Sequence, residues 1–347
     1  MKKVFSFVLA FVIIFGVTGC KSQKKKYTHY TFDYFDTATT IIGFADSQNE
    51  FDKVCGKIEA KLDEYHKLYN IYEAYEGINN LHTVNKLFDG QHKEIPVDRK
   101  IIDMLLFSKE IYNKTQGNTN IAFGSVLSIW HTHRTQGIKN PDKAELPDYS
   151  ELKQASLNTN IDDVIIDTKK NTVYLANDNM TLDVGAVAKG YAVEMIAKWM
   201  REENISGYIL NVGGNVRIVG DRPDREKWTV GIENPNNTEN YVELLQLGDS
   251  ALVTSGAYQR YYTVNGKNYH HIINPQTLMP NESYLSVSVL SDNSALADGL
   301  STALFNLSLA EGKKIVASMD GVEAMWVLPN NKREYSKGFK NYIMDKK

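Results

Sequence analysis

Residues 208–219 of this 347-residue chain read YILNVGGNVRIV, two apolar runs that flank a Gly-Gly pair. The central segment NVGGN (211–215) has the composition of a hairpin turn, because adjacent glycines accept the positive φ angles of a tight two-residue turn. Paired glycines also let a ligand approach the backbone closely, so a turn and a ligand contact are compatible. The stretch predicts two short antiparallel strands.

Short β-rich segments continue through the second half of the chain, separated by Gly, Asn or Asp. They cover residues 228–232, 251–254, 261–264, 270–273 and 285–289. Helical spacing of apolar residues predicts helices at 51–68, 98–112, 187–200, 294–305 and 311–319, and residues 164–175 have the pattern of a further hairpin. Successive strands joined by tight turns, with flanking helices, predict an α+β fold with a largely antiparallel β-sheet core.

The N-terminus has the order of a secretory signal: Lys2 and Lys3, an apolar run at 4–17, then small residues before Cys20. The apolar run is too short to span a hydrocarbon core of about 30 Å comfortably. The segment VTGC (17–20) resembles the bacterial lipobox, whose cysteine receives a lipid. We predict a signal peptide at 1–19, a lipid on Cys20, a tether at 20–30, and a protein on the extracytoplasmic face of the membrane. A cleaved signal without lipid and an uncleaved anchor are the alternatives.

Charge and cysteine content argue against two classes of function, nucleic-acid binding and zinc chemistry. The chain has 39 Lys and Arg against 42 Asp and Glu, and without the two lysines of the signal the balance is 37 − 42 = −5. No basic stripe interleaved with aromatic residues is present, which argues against a nucleic-acid partner. With a lipid on Cys20, Cys55 has no disulfide partner, and the chain lacks the Cys and His spacing typical of zinc sites. Cys55 is expected to be a small core residue.

Three segments carry residues that could bind a ligand or act in catalysis. Asp298 and Thr302 lie four apart in a predicted helix, where a carboxylate and a hydroxyl on one face suit Mg²⁺, although the same pair could simply face solvent. Residues 182–191 (LDVGAVAKGY) have the pattern of a strand, a glycine turn and a helix start, a place where backbone amides and Lys189 could meet a phosphate. Residues 269–275 (YHHIINP) place two histidines at the start of a predicted strand, where one could act as acid or base or be structural.

These segments occur in series with three others: FDT (35–37), LNVGGN (210–215) and TSG (254–256). The series resembles the ApbE family of FAD:protein FMN transferases, also described as flavin-trafficking lipoproteins, from about residue 31 to about residue 328. The resemblance implies an ApbE-like, T-fold-like architecture, with a catalytic domain at 31–335 and a C-terminal tail at 336–347. It also implies a transfer in which FAD is split at its pyrophosphate, FMN joins a Thr or Ser of a client protein, and AMP leaves.

The resemblance assigns roles residue by residue. Asp298 and Thr302 match metal ligands for Mg²⁺, Ala186 matches a position that contributes its carbonyl, and Ala295 is a further candidate. Asp183 and Lys189 match FAD contacts. Other positions near flavin or adenine contacts are Phe35, Tyr72, Trp130, His131, Thr132 and Ile272. His271 is the candidate base for the client hydroxyl, with Asp183 or Asp36 as alternatives.

Two segments depart from the family pattern. Residues 130–132 are Trp-His-Thr where many members have Trp-Gly-Phe, and residues 274–278 are Asn-Pro-Gln-Thr-Leu where Asp-Pro-x-Thr-Gly is usual. Loss of the glycine predicts an altered turn beside His271. Two rival functions remain, an FAD pyrophosphatase that uses water as acceptor and a flavin-binding lipoprotein without turnover. The expected partners are FAD, the membrane, and extracytoplasmic domains of membrane-bound flavoproteins.

Overall fold

The computed structural model describes residues 24–86, 93–224 and 226–344. Its helices are α1 (Gln48–Tyr69), α2 (Leu81–Lys86), α3 (Arg99–Lys114), α4 (Gly124–Lys139), α5 (Tyr149–Ala155), α6 (Ala188–Glu202), α7 (Ser294–Asn306) and α8 (Leu309–Ala317). Side chains that accept from the first-turn N–H groups mark where these helices begin, as Ser47 does for α1, Asp98 for α3 and Asn293 for α7.

The strands include the hairpin predicted from residues 208–219. They are β1 (Lys25–Tyr34), β2 (Thr37–Ala45), β3 (Ile95–Pro96), β4 (Val164–Asp167), β5 (Thr172–Leu175), β6 (Tyr208–Val212), β7 (Asn215–Val219), β8 (Trp228–Asn234), β9 (Asn237–Leu247), β10 (Ala251–Gly256), β11 (Tyr261–Val264), β12 (Lys267–His270), β13 (Ser286–Ser291), β14 (Glu323–Val327) and β15 (Arg333–Tyr335). Gly213 and Gly214 both have positive φ, 56° and 83°, which explains the tight turn between β6 and β7.

Eight strands form the main sheet in the order β1-β2-β6-β7-β10-β13-β14-β15. Every neighbouring pair in it is antiparallel. Smaller sheets are β3-β5-β4 and the hairpins β8-β9 and β11-β12. The predicted α+β fold with an antiparallel core is therefore confirmed.

Different layers cover the two faces of the main sheet. Ile41 and Leu210 point to one face and pack with residues of α1, α3 and α6 in a common core. Ile209 and Ile218 point to the other face and pack with Trp228 of the β8-β9 hairpin. Because side chains alternate along a strand, each strand supplies both cores.

Several predicted boundaries differ from the structure. β1 begins at Lys25, so residues 25–30 are strand rather than tether. The predicted tail at 336–347 includes Phe339, which is fully buried in a short 3₁₀ turn. The strand predicted at 270–273 is wrong, because β12 ends at His270, and β9 was not predicted.

The predicted signal peptide and Cys20 lie outside the described residues. Cys55 is buried, as predicted, and burial raises the pKa of its thiol to about 12, so it is an unreactive core residue. No helix among the described residues is long and apolar enough to cross a bilayer.

Candidate active site

A cavity of about 770 Å³ lies where the β1-β2 and β6-β7 turns meet α6 and α7. A volume of this size suits a large ligand such as a cofactor. The predicted site residues that line it are Tyr72, Trp130, His131, Asp183, Ala186, Lys189, His271, Ile272, Asp298 and Thr302, together with Asp36. Residues distant in sequence therefore converge on one space.

Asp298, Thr302 and Asn306 line the cavity from one face of α7, because positions four apart share a helix face. Asp298 is only 5% exposed, and its Oδ2 accepts a hydrogen bond from the Gly190 backbone N–H at 2.7 Å. The Lys189 Nζ lies 4.0 Å from the same oxygen. Burial raises the pKa of Asp298, and the Lys189 charge and the Gly190 N–H oppose that rise by favouring the carboxylate.

The groups around Asp298 fit a hard divalent cation. Asp298, Thr302 and Ala186, which carry a carboxylate, a hydroxyl and a backbone carbonyl, all line the cavity. Ala295 differs from its prediction, because it is 1% exposed, packs in the core and is not part of the cavity lining. In the part of the chain that the structure describes, no three His, Cys, Asp or Glu side chains gather to hold a metal. One carboxylate supplemented by neutral oxygens and water suits Mg²⁺ better than zinc.

Glycine at position 190 permits the close crossing of α6 and α7. A Cβ there would lie 2.4 Å from the Asp298 Cβ and 2.5 Å from the Ser294 carbonyl oxygen. One turn further along α6, the Glu194 Oε2 accepts from the Ser294 backbone N–H at 2.8 Å. Gly190 thus bonds to Asp298, and Glu194 bonds to Ser294. The two residues on each helix are four apart, so two hydrogen bonds one turn apart join α6 to α7.

The Glu194 carboxylate is held by one buried and one exposed arginine. Arg217 is 1% exposed and its Nε is 2.9 Å from Glu194, whereas the Arg201 side chain is 41% exposed and its Nη2 is 2.8 Å away. We expect Arg217→Met to lower the free energy of unfolding by about 3–5 kcal/mol, because it removes the buried partner of a buried carboxylate and leaves only the exposed Arg201 paired with it. Arg201→Met is the matched control, expected to cost about 0–1 kcal/mol. Urea unfolding measures both, and equal losses would contradict the assignment.

His271 lines the same cavity, and a hydrogen bond to its ring determines which tautomer it adopts. Its Nδ1 lies 3.1 Å from the Arg260 carbonyl oxygen, which can only accept, so Nδ1 carries the proton. The His271 backbone N–H donates to the same oxygen. The Nε2 lone pair is therefore the free basic site. Burial lowers the pKa of His271 to about 3; the bond to the Arg260 carbonyl opposes this, and the Arg260 and Arg134 charges add to it.

We expect the His271 imidazole of the ligand-free protein to stay neutral from pH 8 down to about pH 4, because its pKa is near 3. Between an unfolded pKa of about 6.5 and this value, only the unfolded chain binds the proton, so this histidine makes the protein less stable as the pH falls. An NMR titration, with the resonance assigned by His271→Gln, measures the pKa directly. A midpoint near pH 6.5 would contradict the expectation, and His271→Gln should reduce the loss of stability at low pH.

Tyr72, His131 and Arg134 form an aromatic and cationic wall of the same cavity. The Tyr72 and His131 rings stack with centroids 5.2 Å apart, and the Arg134 Nη2 donates to the His131 Nδ1 at 3.0 Å. Tyr72 is 56% exposed, so its ring remains available to a flat ligand. Burial and the Arg134 charge lower the pKa of His131. The wall therefore offers one exposed aromatic ring beside a permanent positive charge.

Two other predicted contacts, Phe35 and Thr132, lie outside the cavity lining, and a third, Trp130, is mostly buried. Phe35 does not line the cavity; it has φ 55° in the β1-β2 turn and its N–H donates to His66 Nδ1. Thr132 is exposed and bonds to the Ser128 carbonyl one turn back, outside the lining. Trp130 is 2% exposed and donates from its indole Nε1 to the Leu278 carbonyl at 3.0 Å, so it is chiefly a core residue.

The segment before α6 is not the predicted strand. Leu182 is extended but joins no sheet, since the Asn85 side chain bonds to both its N–H and its carbonyl, at 2.9 and 3.0 Å. The Asp183 N–H donates to the Ile121 carbonyl, and its Oδ1 accepts from Gly185 at 2.9 Å. Burial raises the pKa of Asp183. The Asn85 side-chain amide thus takes the place of a neighbouring strand, and the bonds to Ile121 and Gly185 hold Asp183 at the cavity.

The sequence prediction missed Arg134 and Arg260. Arg134 follows Trp130 by four residues on α4, and Arg260 bonds through its Nη2 to the Asp36 carbonyl at 3.3 Å. Both line the cavity. Helical spacing from Trp130 could have indicated Arg134, but only the folded β1-β2 turn brings Asp36 to Arg260.

The model of the ApbE family matches residues 28–326. The chain belongs to the ApbE family. A relative named FAD:protein FMN transferase, from Treponema pallidum (strain Nichols), is 28% identical over 346 residues, covering 94% of this chain and 91% of its own. One of the same name from Klebsiella pneumoniae (strain 342) is 27% identical over 278 residues, covering 76% and 82%.

Solved structures of ApbE proteins have the same fold. The ApbE protein of Thermotoga maritima superimposes with a TM-score of 0.80 at 24% identity, over 92% of this chain and all of that one. The flavin transferase ApbE of Vibrio cholerae gives 0.73 at 21% identity, over 92% and 99%. Together with the family match, the named relatives identify this ApbE family member as an enzyme, a transferase.

Leu278 is the position at which the family resemblance predicts a glycine. It has a positive φ of 61°, in the left-handed region that favours glycine. Its N–H donates to the Asn274 carbonyl at 2.8 Å, which closes the turn. A left-handed leucine costs about 1–2 kcal/mol, and burial of its side chain, only 4% exposed, offsets that cost.

Proposed function

We propose that this protein transfers FMN from FAD to a Thr or Ser hydroxyl of a client protein, depends on Mg²⁺, and releases AMP. The observation that carries the proposal is that Asp298, Thr302 and the neutral His271 line one cavity of cofactor size. A nucleotide pyrophosphate needs a cation, and an attacking hydroxyl needs a base. The relatives named FAD:protein FMN transferase support FAD as the donor.

Asp298, Thr302 and the Ala186 carbonyl would hold the cation, which supplies charge neutralisation at the pyrophosphate and at the leaving AMP. Lys189, with its Nζ 4.0 Å from Asp298 and 3.3 Å from the Gly185 carbonyl, lies beside the same place. It would add a second positive charge toward the phosphates. This arrangement binds and orients the scissile bond rather than forming a bond to it.

His271 would accept the proton of the client hydroxyl at Nε2. The hydroxyl oxygen forms a bond to the FMN phosphorus, the bridging phosphorus–oxygen bond breaks, and AMP keeps the bridging oxygen. A pKa of about 3 makes an unloaded His271 a weak base. A pyrophosphate near Arg134 and Arg260 would offset the two charges that lower it, so substrate binding itself would strengthen the base.

The aromatic and cationic wall would position the flat ring of the donor. Tyr72 offers an exposed aromatic face, and Arg134, fixed on His131, supplies a cation at its edge. Asp183, whose pKa burial raises, would accept from a ring N–H or sugar hydroxyl. We assign Asp183 to binding in preference to proton transfer, because the His271 tautomer already provides a free lone pair.

We further propose that a lipid on Cys20 holds the enzyme on the extracytoplasmic face of the membrane, near membrane-bound flavoproteins. The VTGC segment after an apolar run supports this. A tether of this kind raises the effective concentration of enzyme near clients in the same membrane. Mass spectrometry of the N-terminal peptide tests the lipid independently of activity.

We expect purified protein incubated with FAD, Mg²⁺ and a peptide bearing an acceptor threonine to release AMP. The peptide should gain the mass of one FMN less one water. A peptide with valine in place of threonine is the matched control. AMP without adduct would favour the pyrophosphatase. Tight FAD binding without AMP would favour a flavin-binding protein, and both outcomes would refute transfer.

A further inference from the structure

One face of β1 exposes a basic and aromatic stripe. The odd-numbered residues of the strand face α1: the Tyr27 ring stacks on Phe51 at 5.5 Å, and His29 is 3.0 Å from Glu59. The even-numbered residues therefore point away from α1. They are Lys26, Thr28, Tyr30 and Phe32, all exposed, and Lys24 precedes them; we call this set the β1 stripe.

The aromatic end of the β1 stripe is unusually open. Phe32 is 75% exposed and Tyr30 is 67% exposed. Single apolar residues on a surface need no explanation, but two at adjacent alternate positions, preceded by lysines, form a pattern. Lysines beside exposed aromatic rings are typical of surfaces that contact lipid headgroups, where the rings sit at the interface and the cations meet anionic lipid.

The chain length before β1 favours the bilayer as the occupant. Lys24 follows Cys20 by four positions, and four residues extend at most about 14 Å. A lipid on Cys20 would hold the start of β1 within that distance of the headgroups. Two aromatic rings of at most about 250 Å² each fall short of the roughly 800 Å² per partner that a stable protein interface buries. Such a patch can supplement a lipid anchor but is too small to bind a protein alone.

The β1 stripe lies on the same side of the sheet as part of the cavity lining. Tyr30 pairs with Thr40 across β1 and β2, and cross-strand partners point to one face. Thr40 and Ala38 both line the cavity, and Asp36 in the β1-β2 turn does so only four residues after Phe32. A surface bound through the stripe would therefore be next to the mouth of the cavity.

We propose that the β1 stripe contacts an anionic phospholipid surface and holds the cavity mouth beside the bilayer. The proposal rests on the lipid anchor proposed for Cys20, and it extends it: the anchor sets the distance, and the stripe sets the orientation. Acceptor hydroxyls would then be modified close to the membrane plane. Clients in which the acceptor is far from the bilayer would be poor substrates for the anchored enzyme.

The test uses the mature chain with Cys20→Ser, so that binding through the stripe is measured without the lipid. Vesicles of phosphatidylglycerol and, separately, of phosphatidylcholine are co-sedimented with the protein at low salt. We expect binding to phosphatidylglycerol, and we expect Tyr30→Ser with Phe32→Ser to raise the lipid concentration for half-binding at least fivefold. Tyr149→Ser with Leu157→Ser is the matched control, since these residues are 55% and 69% exposed elsewhere on the molecule.

Other occupants give different results. Equal binding of stripe and control variants, or no binding to either vesicle, would overturn the proposal. A dimer lost in the stripe variant, measured by sedimentation velocity, would assign the stripe to a second copy. Loss of FMN transfer to a soluble acceptor, with AMP release unchanged, would assign it to the client. AMP release by the stripe variant without vesicles separates this proposal from the proposed function, because failure of that function removes AMP from every variant.

Discussion

Asp298→Ala is expected to abolish AMP release and FMN transfer together, by about 10³-fold or more. Removal of the only carboxylate of the proposed cation site removes several kcal/mol of charge stabilisation, and each 1.36 kcal/mol is tenfold in rate. The variant should also lose Mg²⁺ binding, measured by calorimetry in the presence of a non-hydrolysable FAD analogue. Turnover at the unaltered rate would refute the cation site.

The variant Asp298→Asn tests the role of the carboxylate charge while it keeps the shape of the side chain. An asparagine oxygen can still accept from the Gly190 N–H, which Asp298 does now at 2.7 Å, so the helix crossing should be kept. Since burial raises the pKa of Asp298, the folded state disfavours the charged form. We expect Asp298→Asn to raise the melting temperature of the metal-free protein while removing activity. A variant both less stable and inactive would show that Asp298 is structural.

Gly190→Ala is expected to remove activity because the added methyl group would push α6 and α7 apart. The added Cβ would meet the Asp298 Cβ at 2.4 Å and the Ser294 carbonyl oxygen at 2.5 Å, and neither belongs to a flexible side chain that can turn away. The helices would have to separate, which costs about 1–3 kcal/mol or more and moves Asp298 away from Ala186 and Lys189. A lower melting temperature and loss of AMP release, measured on the same preparation, test this.

Gly56→Ala is the matched control for Gly190. Gly56 lies in α1 and nothing would be within 4 Å of an added Cβ. Alanine is favoured over glycine in a helix by about 1 kcal/mol, so this variant should be slightly more stable and fully active. If both alanine variants behaved alike, the tight crossing of α6 and α7 would not explain the need for Gly190.

The fold was largely predictable because its elements carry local patterns. The Gly-Gly pair at 213–214 and the helical spacing of α1 and α6 are readable without tertiary information. Errors arose where a contact distant in sequence replaces a local one. Asn85 binds the extended segment at Leu182 as a neighbouring strand would, and no local pattern distinguishes that from a true strand.

The shared position of Asp298 and Thr302 and the presence of Lys189 at the cavity were predictable from the sequence, whereas the two cavity arginines were not. Asp298 and Thr302 are four apart on one helix, so their shared face follows from geometry alone. Arg134 and Arg260 come from different elements, and only the folded cavity shows that both lie near His271. Trp130 and Phe35 were assigned by the family resemblance, which does not show that the Trp130 indole bonds to the Leu278 carbonyl or that the Phe35 backbone N–H bonds to His66.

The hydrogen bond from Trp130 to the Leu278 carbonyl has a consequence for segment exchange between homologues. It joins the two segments for which the family resemblance predicts a departure from the usual pattern, although 148 positions separate them. A chimera that restored glycine at 278 alone would remove a buried side chain, and one that replaced residues 130–132 alone would change the helix that holds the turn. We expect such chimeras to fold stably only when both segments come from the same parent protein. The two segments would therefore have to be exchanged together.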